Sequence, residues 1–152
     1  LWLGVKIFHE GTIYQQRYER GKTMYELKVA GDCDPEKHGT TVTFFPDREI
    51  FDDINFDFDV LKQRFREMAF LTKGLKITFT DNRGEEPKQR VFHYEGGIRE
   101  FVQYLNRSST ALYDKIIYCE GEKDGVYVEV AMQHNDGYTE NTYGFVNNIV
   151  TP

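Results

Sequence analysis

Cysteine and serine are scarce in this 152-residue sequence, which contains only two of each. Cys33 and Cys119 are far apart, and a chain of this length does not need a disulfide framework, so we expect reduced thiols and a cytoplasmic protein. Ser108 and Ser109 are adjacent and lie outside the G-x-S-x-G motif that presents a nucleophilic serine. The sequence therefore indicates neither a disulfide scaffold nor a serine hydrolase.

Long apolar runs and phosphate-binding motifs are absent as well. No run approaches the roughly 20 residues that span a bilayer, and no signal peptide is visible. Neither G-x-x-x-x-G-K-[ST] nor G-x-G-x-x-G occurs. Because the chain opens at Leu1 in strand-like sequence and stops at Pro152 after another strand, we expect it to be a piece of a longer protein.

Positive charge is in deficit, with 19 Lys and Arg against 25 Asp and Glu and a formal net charge of −6. This balance argues against nucleic-acid binding by bulk electrostatics, although it leaves room for a local basic patch. The 39% hydrophobic content is globular, and the 10 Tyr and 12 Phe residues favour β-sheet. The length fits one domain.

Alternation of apolar and polar side chains predicts most of the fold as strands. The predicted strands lie at 3–8, 13–19, 25–29, 40–45, 75–80, 91–94, 115–120, 126–133 and 138–150. Glu10-Gly11 supplies turn chemistry between the first two strands. Between the last two strands, Asn135-Asp136-Gly137 has the composition of a hairpin turn, so we interpret residues 128–149 as a hairpin.

Helical spacing replaces this alternation in two places. The first helix is predicted from about 58 to 73, between an Asp57 N-cap and Gly74. The second follows Gly96-Gly97. The predicted core positions on the two helices are Phe58, Leu61, Phe65, Met68, Ala69, Ile98, Phe101, Val102 and Leu105. Strands and two helices together predict an α+β fold, a two-layer sheet-and-helix domain.

Several reactive groups are candidates for catalysis. His134 and Asp136 could form an acid–base pair, but a turn aspartate usually bonds its own backbone. His93 and Glu95 flank a strand end, where a glutamate near a helix N-terminus has a structural role. The pair Gly96-Gly97 precedes a helix as in some anion sites, yet two glycines alone are a poor phosphate signature.

Candidate metal and DNA sites have equally weak patterns. The loop with Asp32, Cys33, Asp34 and His38 lacks zinc-ligand spacing. The acidic run Asp52, Asp53, Asp57 and Asp59 lacks the spacing and glycine of a calcium loop. The helix face with Lys62, Gln63 and Arg66 is a candidate DNA contact, but Asp59 and Glu67 accompany it, which is typical of a solvated face. We therefore assign no catalytic, cofactor-binding or metal residue.

Four stretches together resemble one family. They are GTTVTFFPD (39–47), FREMAFLTKGLKITFTD (65–81), FHYEGGIREFVQYLN (92–106) and VEVAMQHNDGYTENTYGFVNNI (128–149), supported by YERG at 18–21 and Trp2-Leu3. They are similar to the transducer domain in the ATPase subunit of bacterial type II DNA topoisomerases. The resemblance is strongest to the B subunit of DNA gyrase, and the equivalent part of topoisomerase IV comes second.

The resemblance implies residues 1–152 to be the N-terminal portion of a transducer, with a fold like domain two of ribosomal protein S-five, a left-handed βαβ crossover and an incomplete C-terminus. It implies ATP and Mg²⁺ in the intact protein but none on this fragment, which alone is expected to be inactive. The implied partners are DNA, the gyrase A subunit and a second B subunit, with no membrane. The implied activity is ATP-dependent negative supercoiling of DNA.

The family motifs that bind ATP belong to a preceding domain, and the transducer's nucleotide-contacting Q-T-K and following G-G-T-H do not occur here. No family site residue is therefore carried onto this sequence. Two alternatives remain at this point: a non-catalytic partner domain of another GHKL ATPase, of chaperone or repair type, and a small-molecule kinase on the related fold. A kinase requires the glycine-rich phosphate loop that the sequence lacks.

Overall fold

The structure is a computed structural model that describes residues 1–151, and it divides into two compact units where the length suggested one domain. The sheet unit is Leu1–Phe56, and the helical unit runs from Asp57 to the end of the described residues. Both predicted helices lie in the helical unit, so they do not cover one sheet that contains all the strands. The coarse class, α+β with antiparallel strands, agrees with the sequence analysis.

The sheet unit is one antiparallel sheet of five strands. Its strands are β1 (Trp2–His9), β2 (Thr12–Glu19), β3 (Lys22–Thr23), β4 (Lys28–Asp32) and β5 (Gly39–Phe45). β1 lies between β2 and β5, while β3 and β4 both pair with β2. Positive φ angles at Glu10 and Gly11 (47° and 77°) produce the tight β1–β2 turn that the sequence predicted.

The third predicted strand, 25–29, is wrong at its start, because regular pairing resumes only at Lys28. β3 pairs with the C-terminal end of β2, at Tyr18 and Glu19, and β4 pairs with its N-terminal half. The chain between them travels back along β2 without making a continuous ladder. Local alternation cannot reveal that one strand edge is shared by two short partners.

Among the described residues, the helical unit contains two α-helices, a short 3₁₀ helix (Asn106–Ser108) and three two-stranded antiparallel ladders. Its elements are α1 (Phe58–Leu71), β6 (Lys76–Asp81), β7 (Lys88–His93), α2 (Gly97–Leu105), β8 (Ile117–Lys123), β9 (Val126–Met132), β10 (Phe145–Val146) and β11 (Ile149–Val150). The ladders are β6–β7, β8–β9 and β10–β11. Within residues 1–151, neither helix is long and apolar enough to cross a membrane.

The predicted N-cap of α1 is confirmed, whereas the helix ends at Leu71, two residues before its predicted end, with Thr72 as the C-cap. The Asp57 carboxylate accepts the backbone N–H of Val60 at 2.9 Å, as an N-cap does. Gly74 follows the helix with a φ of 78°, and its N–H donates to the Tyr94 carbonyl at 3.0 Å. This bond joins the end of α1 to the segment that leads into α2.

The core of the helical unit is aromatic and centres on Phe70, which is 1% exposed. Its ring stacks on Tyr94 at 3.7 Å between centroids and on Phe101 at 5.1 Å. Phe58 and Phe65 instead pack on Phe79 of β6 at 4.9 and 5.0 Å. The buried Ala69 and Phe101 confirm part of the predicted core.

Two core predictions need correction. Met68 is predicted to face inward but is 39% exposed, and Phe70, outside the predicted stripe, is the most deeply buried phenylalanine. The reason is that α2 packs against the C-terminal half of α1, where Phe70 contacts Phe101 and Tyr104. The buried face of α1 therefore shifts around the helix axis, so that Phe70 faces the core in the last turn.

The predicted hairpin over 128–149 is also wrong. β9 pairs with β8, and residues 138–144 form no strand. The chain instead makes a small β10–β11 hairpin whose turn, Asn147 and Asn148, has positive φ angles of 48° and 65°. The side chains at 133–136 explain this, since they bind a different partner segment.

Candidate functional site

The polar segment 133–136 holds the loop that follows α2. Asn106 Nδ2 donates to Gln133 Oε1, and Asn135 Nδ2 donates to Asn106 Oδ1, both at 2.9 Å. The Thr110 N–H donates to Asp136 Oδ1 at 2.9 Å, and the Asp136 N–H donates to the Thr110 carbonyl at 3.0 Å. These hydrogen bonds fix the segment after β9 to the loop after α2.

His134 has a partner of its own in this loop. Its backbone N–H donates to the Tyr113 hydroxyl at 3.0 Å, and that hydroxyl lies 2.6 Å from His134 Nδ1. Asp136 is not among these partners, and the backbone N–H of Thr110 lowers the pKa of its carboxyl group, which weakens it as a base. The structure therefore gives His134 and Asp136 separate structural roles and not one acid–base pair.

A second polar cluster joins the helices to the β8–β9 hairpin. This polar junction consists of Lys73, Arg99, Tyr118, Glu120, Tyr127 and Glu129. Glu120 and Glu129 lie directly opposite each other on β8 and β9. Like charges in that position repel each other, so the pair requires donors and cations around it.

Two tyrosines supply the donors. The Tyr118 hydroxyl lies 2.5 Å from oxygens of both Glu120 and Glu129, and the Tyr127 hydroxyl donates to Glu120 at 2.7 Å. The hydrogen bonds from Tyr118 and then Tyr127 lower the pKa of Glu120. The same bonds to Glu120 and Glu129 raise the pKa of Tyr118, so it stays a protonated donor.

The cations come from the two helices. Lys73, just after α1, lies 3.3 Å from Glu129, and the Arg99 guanidinium of α2 sits 4.0 Å from the Tyr118 ring centroid. Gly97 makes room for the lysine: it has a φ of 62°, and a Cβ there would collide with Lys73 Cε. The polar junction thus ties the end of α1 and the start of α2 to one hairpin.

Several of the remaining candidates have local partners. His93 and Glu95 form an exposed contact at 3.0 Å, and Asp34 and Asp53 each accept a backbone N–H two residues ahead. Asp59 pairs with Lys62. Within residues 1–151, no group of three or more His, Cys, Asp or Glu side chains is arranged to hold a metal ion.

The start of α2 is already occupied by its own side chain. The Gly96 N–H donates to Glu100 Oε2 at 2.9 Å, so the carboxylate takes the position that an external anion would use. The face with Lys62, Gln63 and Arg66 differs from the expectation of a solvated surface, since Tyr104 and Arg107 of the α2 region border the same cleft. This face is therefore one wall of a cleft between the two helices.

The polar junction was missed at the level of sequence. The signal that could have found it is the turn at Asp124-Gly125, which sets the β8–β9 register and so brings Glu120 opposite Glu129. The repulsion between Glu120 and Glu129 can be recognised only after β8 and β9 have been aligned in the correct register. No such pairing rule predicts Lys73, which is 56 residues away from Glu129.

Comparison with known proteins points to one family. A family model described as DNA gyrase B matches residues 97–152. The DNA topoisomerase 4 B subunit of Enterococcus faecalis is 51% identical over 151 residues, covering 99% of this chain and 22% of that protein. The DNA gyrase B subunit of Clostridium acetobutylicum is 49% identical over 148 residues, covering 97% of this chain and 23% of that protein. The chain thus spans about a quarter of the length of these relatives.

Solved structures agree. The crystal structure of the 43K ATPase domain of Thermus thermophilus gyrase B, in complex with an aminocoumarin, superposes with a TM-score of 0.83 at 36% identity, covering 98% of this chain and 40% of that one. The B subunit of the DNA gyrase from Myxococcus xanthus gives 0.86 at 25% identity, covering 99% and 44%. With these sequence identities extending along nearly its whole length, the chain belongs to the family of B subunits of the type II topoisomerases DNA gyrase and topoisomerase 4.

Proposed function

We propose that this chain is a transducer segment of a type II topoisomerase B subunit, which relays ATP binding and hydrolysis to the gate where DNA is cleaved. The observation that carries the proposal is the polar junction, because it couples α1, α2 and the β8–β9 hairpin through side chains. A relay needs elements that move together. The ion pairs and hydrogen bonds between these elements can be either formed or broken, which gives the elements two discrete arrangements.

The proposal also includes the finer fold, an S-five domain-two-like arrangement with a left-handed crossover, as the N-terminal part of a longer transducer. DNA, an A subunit and a second B subunit are the proposed partners, and the cytoplasm the proposed location. The gyrase activity is negative supercoiling. The topoisomerase 4 protein is an equal second candidate, because identity to the E. faecalis protein is 51% against 49% for the C. acetobutylicum gyrase.

ATP and Mg²⁺ are proposed for the intact protein only. The described residues do not fit these groups, because they contain no cluster of acidic, His or Cys ligands for a metal ion. The sequence also has no G-x-x-x-x-G-K-[ST] loop to cradle phosphates. We propose a mechanical role for this segment and assign no chemical step to it.

The test uses the complete B subunit together with its A subunit. Glu129→Gln removes the charge that Lys73 pairs with and weakens an acceptor of Tyr118. We expect ATP turnover to persist. The amount of DNA product formed per ATP hydrolysed, either supercoils introduced or catenated circles separated, should fall severalfold. Whichever of the two DNA reactions the wild-type enzyme performs distinguishes gyrase from topoisomerase 4.

Glu122→Gln is the matched control, because it removes the same charge from an exposed position on the same hairpin. It should leave the DNA product per ATP unchanged. If Glu129→Gln, which removes the charge that pairs with Lys73, also left that ratio unchanged, the junction would not take part in the relay.

A further inference from the structure

Two arginines and a tyrosine meet in a cleft of about 350 Å³ between α1 and α2. The Arg66 Nη1 donates to the Tyr104 hydroxyl at 2.5 Å, and the Arg66 guanidinium lies 5.5 Å from the centroid of the buried Phe92 ring. Arg107 Nη1 donates to the Tyr104 carbonyl at 2.7 Å. The two guanidinium carbons lie 4.9 and 3.9 Å from the centroid of the Tyr104 ring.

The charges around this cleft do not cancel. Asp59 is paired with Lys62, and the buried Glu67 accepts Arg64 Nη1 at 2.9 Å. Over residues 1–151, neither Arg66 nor Arg107 has a carboxylate within ion-pair distance. Two positive charges are therefore held beside one ring in a chain whose net charge is −6.

The two arginines also have donors to spare. Each guanidinium has five N–H groups in a fixed fork, and the contacts described above use few of them. The Tyr104 hydroxyl accepts from Arg66, so its own proton is available to donate. An arginine that packs against aromatic rings is already oriented, and it loses less freedom when an anion arrives.

We infer that this cleft is a binding subsite for a phosphate group. A phosphate monoester carries about −1.5 to −2 charge at neutral pH and three strong acceptor oxygens, which matches two guanidinium ions and a hydroxyl donor. A single carboxylate would balance only one of the two arginines. The phosphate can come from a small free anion or from a nucleic-acid backbone. A backbone phosphodiester carries one negative charge on two non-bridging oxygens, so two neighbouring phosphodiesters would balance the two arginines.

The test uses the 152-residue chain with inorganic pyrophosphate as the probe. Calorimetry gives the Kd at low salt, and the arginine Nε–Hε NMR signals locate the binding. We expect the signals of Arg66 and Arg107 to shift, and Arg66→Gln or Arg107→Gln to weaken binding about tenfold or more, since a charge-assisted bond is lost. Tyr104→Phe keeps the ring and should weaken binding less.

Arg99→Gln is the matched control, because it removes the same charge from α2 at a position over Tyr118, outside the cleft. It should leave the Kd nearly unchanged. Near-ultraviolet circular dichroism checks that each variant is folded. Equal weakening by Arg99→Gln, or the absence of wild-type binding to every probe, overturns the inference.

A second arm identifies the source of the phosphate. A short DNA duplex without terminal phosphates is titrated under the same conditions. Binding of this duplex that depends on Arg66 and Arg107, without pyrophosphate binding, assigns the subsite to backbone phosphodiesters. Pyrophosphate binding without duplex binding assigns it to a free anion. This result is independent of the coupling measured with Glu129→Gln, so each proposal can fail alone.

Discussion

The carboxylate of Asp81, at the end of β6, is an example of a single residue that organises a loop. It accepts the backbone N–H of Arg83 at 3.0 Å and the Nε and Nη2 groups of the same residue at 2.9 and 2.8 Å. These hydrogen bonds stabilise the ionised form, and they lower the pKa of Asp81 from an ordinary 3.8 to about 2.

This pKa predicts a specific dependence of stability on pH. Because the folded-state pKa lies below the unfolded one, the contribution of Asp81 is complete above about pH 4 and is lost as the pH falls toward 2. The difference in unfolding free energy between wild type and Asp81→Asn should therefore shrink over this range. Urea unfolding at a series of pH values measures it.

Asp114→Asn is the control for this titration. Asp114 is exposed in the same unit, and in the part of the chain that the structure describes its side chain makes no hydrogen bond or ion pair. Asp114→Asn therefore removes a carboxylate without removing a side-chain hydrogen bond, and it should leave the unfolding free energy nearly unchanged. A pH-independent difference between wild type and Asp81→Asn would mean that the Arg83 bonds do not persist in solution.

At the scale of elements, α1 contains two phenylalanines that pack against other aromatic rings but are buried to different extents. Phe70 is 1% exposed and packs on three aromatic rings. Phe65 is half-buried and packs on Phe79. The sequence predicts Phe65 as a core position and leaves Phe70 outside the predicted stripe, but the deeply buried phenylalanine of α1 is Phe70.

The two phenylalanines should therefore differ in their contribution to stability. Phe70→Ala should cost about 3–5 kcal/mol, as expected for truncation of a fully buried phenylalanine. Phe65→Ala should cost clearly less, because water already reaches part of its ring. Chemical denaturation of both variants, with Phe70→Leu as a milder control, measures the difference. Equal costs would contradict this assignment of the α1 core.

The sequence predicted what short-range rules control. Asp57 as N-cap, the Glu10-Gly11 turn and the strands β1, β5 and β6 depend on neighbours within a few residues, and the structure confirms them. Burial of Phe70 and the loss of a strand at 138–144 depend on contacts between distant segments. The same limit hid the polar junction and the Arg66–Arg107 cleft, whose members come from separate elements.

At the scale of the whole molecule, the chain is two compact units that meet in sequence between Phe56 and Asp57. The segment before this boundary, 51–56, has no regular secondary structure, and most of its side chains are exposed. Phe56 still contacts Phe44 of the sheet unit, with ring centroids 6.1 Å apart. Asp52 and Asp53 are exposed in this irregular segment.

Limited proteolysis should reveal the division of the chain into two compact units. An endoproteinase that cuts before aspartate should cleave first at Asp52 or Asp53, because exposed irregular backbone is cut more readily than paired strands or helices. Mass spectrometry should then show two fragments that resist further digestion, one for each unit. Asp52→Asn with Asp53→Asn should slow this first cleavage, whereas Asp81→Asn, which removes a carboxylate at a strand end, should not. Early cleavage inside β1, β2 or α1 instead would mean that the two units do not fold as separate cores.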